Sequence, residues 1–270
     1  MRTTTLAYET HGEGIPMVAI HGLGPDRQLM VGCVEPLFTA REGYRRVYVD
    51  LPGMGESPSL VGRGGSDEVL EAVLGTVDAL LGSEPFLLVG ESYGGYIARA
   101  VLQRRHSQVL GMALICSIGM AVVNEARTVP AHQALVADPA LLEQIGDTGE
   151  FHDNAVVQTF ETWRRTQHEI VTGMERADQS ALNRIRERYE LTESPDTGGT
   201  FECPILIIAG RQDAVTGYAD TYPLLANYPR ASFVVLDRAG HNLQIEQPGL
   251  FDALMVEWLD RVEEQRSFTE

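Results

Sequence analysis

Basic residues and cysteines are scarce in this 270-residue chain, and it has no long apolar run. Lys and Arg together number 21 against 38 Asp and Glu, a formal net charge of −17. So broad an acidic field repels nucleic acid, and no basic run offsets it. The charge is read as a source of solubility. The 3 cysteines, Cys33, Cys116 and Cys203, lie far apart, form no CxxC pair and cannot all pair within one chain. That usage suits a reducing cytoplasm and small core fillers more than nucleophiles or metal ligands. The longest apolar runs, such as Pro85 to Val89 and Pro204 to Ala209, fall far short of the roughly 20 residues a membrane helix needs. Met1-Arg2-Thr3-Thr4-Thr5 has no apolar stretch of the secretory kind. The expectation is a cytoplasmic protein with a small-molecule substrate and neither a nucleic-acid nor a membrane partner. The oligomeric state stays open.

What the chain does have is ordinary globular composition, 44% apolar and 22% charged, which argues against disorder. Its length fits one α/β domain with an insertion. "TTTLAYET" and "IPMVAIHG" read as strands joined by a Gly12-Glu13-Gly14 hairpin turn, and "RRVYVDL" as the next strand. "DEVLEAVLGTVDALLG" has helical apolar spacing, with Ser66 as N-cap and Gly82 just past its end. Strand "PFLLVG", helix "GGYIARAVLQRR" and strand "VLGMALICS" follow. After residue 200 come strand "CPILIIAG", helix "YADTYPLLANY", strand "ASFVVLD" and a last helix, "QPGLFDALMVEWLDRVEEQ". Strands that alternate with helices, several apolar throughout, predict an α/β fold: a mostly parallel central sheet flanked by helices. Residues 119–200 break the rhythm with polar, helical segments and no strong strand, closing near Thr197-Gly198-Gly199. The predicted organisation is a core of residues 1–118 and 201–270 with a helical cap inserted at 119–200, and a flexible loop "VGRGGS" at 61–66.

The chemistry concentrates in "FLLVGESYGGYIARA", where Gly90-Glu91-Ser92-Tyr93-Gly94 joins a strand to a helix with no room for a loop. G-x-S-x-G at such a junction reads as a nucleophile elbow, a strained turn that projects the serine hydroxyl off the sheet edge. Gly90 and Gly94 are small because backbone passes close, and the helix start favours negative charge near Ser92. A serine hydroxyl needs an adjacent base. His241, after the last strand, falls in the right chain order, and Asp213, just past the "CPILIIAG" strand, stands between them to orient it. Glu125 lies too far beyond its strand to be the first choice. His11, His106, His132, His152 and His168 are read as surface residues, and His21 as a brace for its loop. The developing oxyanion needs preorganised donors. The backbone amides of Tyr93 and Leu23, the latter in "HGLGPD", are the candidates, with Gly24 second.

Taken in order, "HGLG", "DLPGMGES", "GESYGG", "GRQD" and "GHN…E.P" resemble the α/β-hydrolase superfamily over essentially the whole chain outside the insertion. The resemblance implies a helical cap over the serine and hydrolysis through an acyl-enzyme, with no metal or organic cofactor. Dehalogenases and epoxide hydrolases of the family carry aspartate at the elbow, which sets Ser92 apart from them. "HGLGP" is similar to the oxyanion loop of serine C–C hydrolases. Perhydrolases and proline iminopeptidases share the triad, although the iminopeptidases usually carry tryptophan where Tyr93 stands. The short N-terminus implies loss of the family's usual first antiparallel strand. Gly24, Phe151, Phe160, Trp163 and Tyr189 are candidates for the substrate pocket, with Tyr93 at its edge. The expected activity is cleavage of a small carboxylic ester or related acyl compound. The alternatives are C–C bond hydrolysis and slow-turnover ligand sensing on the same fold.

Overall fold

A computed structural model describes residues 5–62, 64–146 and 149–269. Seven strands form one sheet in the order β1-β3-β2-β4-β5-β8-β9. They are β1 (Tyr8–His11), β2 (Ile15–Ile20), β3 (Tyr44–Val49), β4 (Phe86–Glu91), β5 (Val109–Ile115), β8 (Ile205–Gly210) and β9 (Ala231–Leu236). All neighbours pair in parallel except β1, which runs antiparallel to β3 along the edge. The central strand shows why its sequence has no polar alternation. Phe86 and Leu88 pack on one face against α2 (Ser66–Leu81) and α3 (Ser92–Arg104). Leu87 and Val89 pack on the other against α1 (Gln28–Val34) and α10 (Pro248–Thr269). A strand covered on both sides must be apolar at every position.

Chain direction in the sheet reverses between β2 and β4: β2 leads through α1 to β3 on one side, and β4 through α3 to β5 on the other. The carboxyl ends of two such strands leave a crevice between diverging connections. The "HGLG" loop and Ser92 emerge there. No helix of the described residues is long and apolar enough to cross a membrane.

Five expectations need correction. An antiparallel first strand is present as β1, where the short N-terminus implied its loss. β1 and β2 are not a hairpin, because β3 lies between them. Their turn is wedged against Gly43, whose carbonyl would stand 2.2 Å from a methyl at Gly14. Ser66 is the first residue of α2 and not its cap. Its hydroxyl donates to the Tyr189 carbonyl (2.6 Å) and meets the Tyr93 hydroxyl (2.8 Å), while Glu68 accepts from the Gly65 amide. "YADTYPLLANY" yields only a short 3₁₀ turn, Tyr222–Ala226. Asp220 is drawn away to the Thr128 amide and Thr221 is buried, so tertiary bonds override the apolar spacing. The segment between β5 and β8 does hold strands, β6 (Val136–Ala137) and β7 (Val157–Gln158), paired in parallel but too short for periodicity to reveal. Its helices are α4 (Pro139–Ile145), capped by Asp138, α5 (Glu150–Asn154), α6 (Phe160–Thr166), α7 (Thr172–Arg176) and α8 (Gln179–Glu187), with one π-turn joining α6 to α7. Thr3 and Thr4, which the first strand was expected to include, and Arg63 of the 61–66 loop lie outside the described residues.

One buried side chain fastens both roots of this segment to the helix that follows Ser92. Arg99 is fully buried in α3. It donates to both oxygens of Asp196 (2.6 and 2.8 Å) at one root and to the carbonyls of Ile118 (2.9 Å) and Gly119 (3.2 Å) at the other. Removing one partner of a buried ion pair strands the other charge, at a cost of about 3–5 kcal/mol. Arg99→Leu is expected to lower the stability read from a denaturant midpoint by that order. An unchanged midpoint would contradict the fastening.

Candidate active site

Ser92 adopts φ 51°, a left-handed conformation that a non-glycine residue takes only when its surroundings enforce it. Close backbone packing is the enforcement. A methyl at Gly94 would stand 2.2 Å from the Ile20 carbonyl oxygen, and one at Gly90 2.6 Å from the Gly94 carbonyl. The turn therefore sits directly on the end of β2 and leaves Ser92 at the top of β4.

Ser92 Oγ lies 3.0 Å from His241 Nε2, and His241 Nδ1 lies 3.0 Å from Asp213 Oδ2. Asp213 is fully buried at the end of β8. It also accepts from the amides of Val215 (2.8 Å) and Thr216 (3.0 Å) and from the Thr216 hydroxyl (2.6 Å). Burial alone would raise its carboxyl, but the His241 charge and these donors hold it well below the usual range. Burial likewise opposes the charged form of His241, yet the Asp213 charge prevails and lifts it to about 9. Among the described residues the one group of three His, Cys or acid side chains spaced closely enough to hold a metal ion is Cys116, Asp213 and His241, and these atoms are already engaged with one another and with Gly240.

The "HGLG" loop is braced from beneath, as expected of His21. Its Nε2 accepts from the Leu51 amide (2.9 Å), so Nδ1 carries the proton and donates to the Gly22 carbonyl (2.7 Å). Burial lowers its pKa and keeps it neutral. Asp50, from "DLPGMGES", accepts from the Arg27 amide and guanidinium and from the Glu56 amide, which ties that motif to the same loop.

Above Ser92 is a cavity of about 300 Å³. Leu23, Ser92, Tyr189 and His241 line it, as does the inserted segment through Arg127, Glu150 and Met174. Phe151 and Trp163 line a neighbouring cavity of about 670 Å³ that shares Glu150 and Met174 with it. Phe160 is 57% exposed and lines neither. The Gly24 position faces Met174 at 3.6 Å and is not a wall of either cavity. Tyr93 is buried behind the wall, its ring stacked on Tyr189 at 5.1 Å, so its side chain gives the pocket no edge. His152 and His168 lie apart from the cavity, while half-buried His132 meets the Ala155 carbonyl (3.1 Å).

Sequence reasoning missed four charged residues here: Glu91, Glu150, Arg127 and Glu246. Glu91 and Glu246 stood inside quoted motifs, "GESYGG" and "GHN…E.P", and that was the available signal. Nothing in local spacing marks Arg127 or Glu150. Glu246 is a buried clamp. It accepts from Gly240 N (2.5 Å), beside His241, and from the amides of Val156 and Val157 (3.2 Å) in the inserted segment.

A profile of the alpha/beta hydrolase fold family matches residues 15–248. The chain belongs to that family, and it is a hydrolase. Among curated relatives it is similar to a 2-hydroxy-6-oxononadienedioate/2-hydroxy-6-oxononatrienedioate hydrolase of Burkholderia vietnamiensis, 28% identical over 91% of this chain and 87% of that one. It is also similar to the dihydrolipoyllysine-residue acetyltransferase component of an acetoin cleaving system of Pseudomonas putida, at 29% identity over 88% of this chain. It spans 62% of that relative's length. Among solved structures, an alpha/beta superfamily hydrolase from Oenococcus oeni superposes with a TM-score of 0.87 at 28% identity, covering 97% of this chain and all of the other.

The Glu246 clamp yields a prediction. Glu246→Ala leaves up to three amides unpaired, two of them buried and each of those worth about 1–3 kcal/mol. The variant is expected to lose at least that much stability by chemical denaturation. A wild-type midpoint would show that the amides find other acceptors.

Proposed function

We propose that this protein is a serine hydrolase that cleaves a small carboxylic ester or related acyl compound through an acyl-enzyme. The observation that carries this reading is the continuous chain from Ser92 Oγ through His241 to Asp213, with two contacts of 3.0 Å, beneath a cavity. Ser92 Oγ attacks the substrate carbonyl carbon while Nε2 takes its proton. Asp213 holds the ring and stabilises the imidazolium. The amides of Leu23 and Tyr93 receive the negative charge on the carbonyl oxygen. The imidazolium then protonates the departing alkoxide, leaving an ester on Ser92. Water attacks this ester, gives its proton to Nε2, and Ser92 recovers that proton as the acid leaves. Residues 119–200 act as the cap that encloses the substrate.

C–C bond hydrolysis of a vinylogous diketo acid is a second reading. Its support is the dienedioate hydrolase relative together with Arg127 on the cavity wall, a group able to pair a substrate carboxylate.

Intact mass after incubation with a fluorophosphonate tests the first reading. One adduct is expected on wild type and none on Ser92→Ala, which keeps a cooperative unfolding transition and loses turnover of short-chain aryl esters. A labelled Ser92→Ala, or undiminished turnover, would sink the mechanism. Faster cleavage of a vinylogous diketo acid than of any ester would favour the second reading.

A further inference from the structure

Glu91 immediately precedes Ser92, and the acyl-transfer sequence above gives it no task. Its side chain is almost wholly buried, yet it forms part of the cavity wall beside Ser92 and His241. The Gly22 backbone beside it favours its carboxylate form. The packing there is tight: a methyl at Gly22 would stand 2.4 Å from Oε2. Oε1 lies 3.5 Å from His241 Nε2, the nitrogen that meets Ser92 Oγ at 3.0 Å. Among the described residues, the His241 ring is the one basic group within ion-pair reach of Glu91.

We propose that Glu91 is a positioning residue for His241: its carboxylate pairs with the protonated ring at Nε2 and so governs when that nitrogen is free to accept the proton of Ser92. The inference rests on the serine-hydrolase reading. The contact has two opposed consequences. An anion beside Nε2 stabilises the imidazolium formed during attack and strengthens the base. The same anion also populates the imidazolium before substrate arrives, so less of the enzyme holds a usable base.

The charges around the ring agree in direction. Asp213 faces Nδ1 from the end of β8, Glu91 faces Nε2 from the end of β4, and Glu150 approaches from α5. Burial disfavours the imidazolium, but these acids outweigh it and hold His241 at about 9. Burial lifts Glu91 to about 7 against the pull of the imidazolium. Cys116, from the end of β5, stays a neutral thiol because burial raises it. Arg127 and Tyr189, from the inserted segment, share the cavity wall, and Tyr189 stays neutral through burial. The ion pair therefore exists between about pH 7 and pH 9. A base must be neutral to act, so activity is expected to rise as pH climbs through the titration of His241.

The test is Glu91→Gln, which keeps the shape while removing the charge. The His241 ring is followed by carbon-13 NMR across pH, with His241→Gln for assignment, and fluorophosphonate inactivation rates are measured over the same range. Wild type is expected to show two inflections in the ring signal, one from each coupled group. Glu91→Gln is expected to show one, moved down by about one to three units. Its inactivation profile should gain the acid side and lose part of the alkaline plateau, a combination that a merely structural residue does not produce. A ring that titrates at the wild-type pH in Glu91→Gln would overturn the proposal. If that variant does not fold, a single inflection in wild type overturns it and two support it. No inactivation of wild type at any pH would refute the serine-hydrolase reading, while the ring titration still decides the pairing.

Discussion

The left-handed backbone of Ser92 is the constraint on which the site depends. A conformation of this kind costs on the order of 1–3 kcal/mol and persists only where neighbours over-determine it. Here the neighbours are backbone atoms. Gly94 rests on the carbonyls of Ile20 and His21, and Gly90 rests on the first turn of α3. Two adjacent parallel strands thus hold the turn between them, and the energy of a sheet buried on both faces maintains one strained residue. Because the chain leaves β2 and β4 in opposite directions across the sheet, the strained turn opens into the crevice between their diverging connections.

A strained serine is of use only if the histidine arrives at a fixed distance, and here the inserted segment matters. His241 sits in a loop whose Gly240 amide is held by Glu246, and the same carboxylate holds Val156 and Val157 of the insertion. Arg99 anchors both roots of that insertion to the helix that starts at Ser92. The Ser92 carbonyl itself accepts from Ile118 N (3.2 Å) at one root. The segment between β5 and β8 and the sheet end beneath the cavity are therefore tied to the same two points, the serine turn and the histidine loop. All 21 basic residues are arginine. The planar guanidinium grips several acceptors at once, as Arg99 does and as Arg27 does on Glu9, Asp50 and Glu56 beside the "HGLG" loop.

How much of this could be read in the sequence depended on the range of the interactions. The core strands were legible because burial on both faces leaves continuous apolar runs, and "PFLLVG" and "CPILIIAG" became β4 and β8. Ser92, Asp213 and His241 were legible because each stands where a recognisable strand ends. What failed was set by partners distant in sequence. Ser66 looked like a cap, but Tyr93 and the Tyr189 carbonyl claim its hydroxyl. A two-residue strand such as β7 has no periodicity, and its existence depends on β6 and on Glu246. Aromatic residues of the insertion were easy to nominate for the pocket and hard to orient. Tyr189 reached the wall above Ser92, Phe151 and Trp163 reached the adjoining cavity, and Phe160 points to solvent.

The charges of the cavity give it a character that the net charge of −17 does not. Glu91 and Glu150 face it near the reacting atoms, and Arg127 shares the wall. With its carboxylate ionised, Glu91 repels an anionic group placed beside Ser92, so a substrate carboxylate fits only if it lies toward Arg127. A neutral acyl group has no such requirement. The two faces of the imidazole then divide the work. Asp213, buried and fully hydrogen-bonded, stays ionised and fixes the ring. Glu91 lacks such a set of donors and titrates at about 7, so its charge changes across the range in which the ring must give up its proton. An acid that strong donors surround is a permanent partner, and one that few donors reach is a variable one. The two carboxyl groups share one histidine, and the number of hydrogen bonds each receives separates their roles.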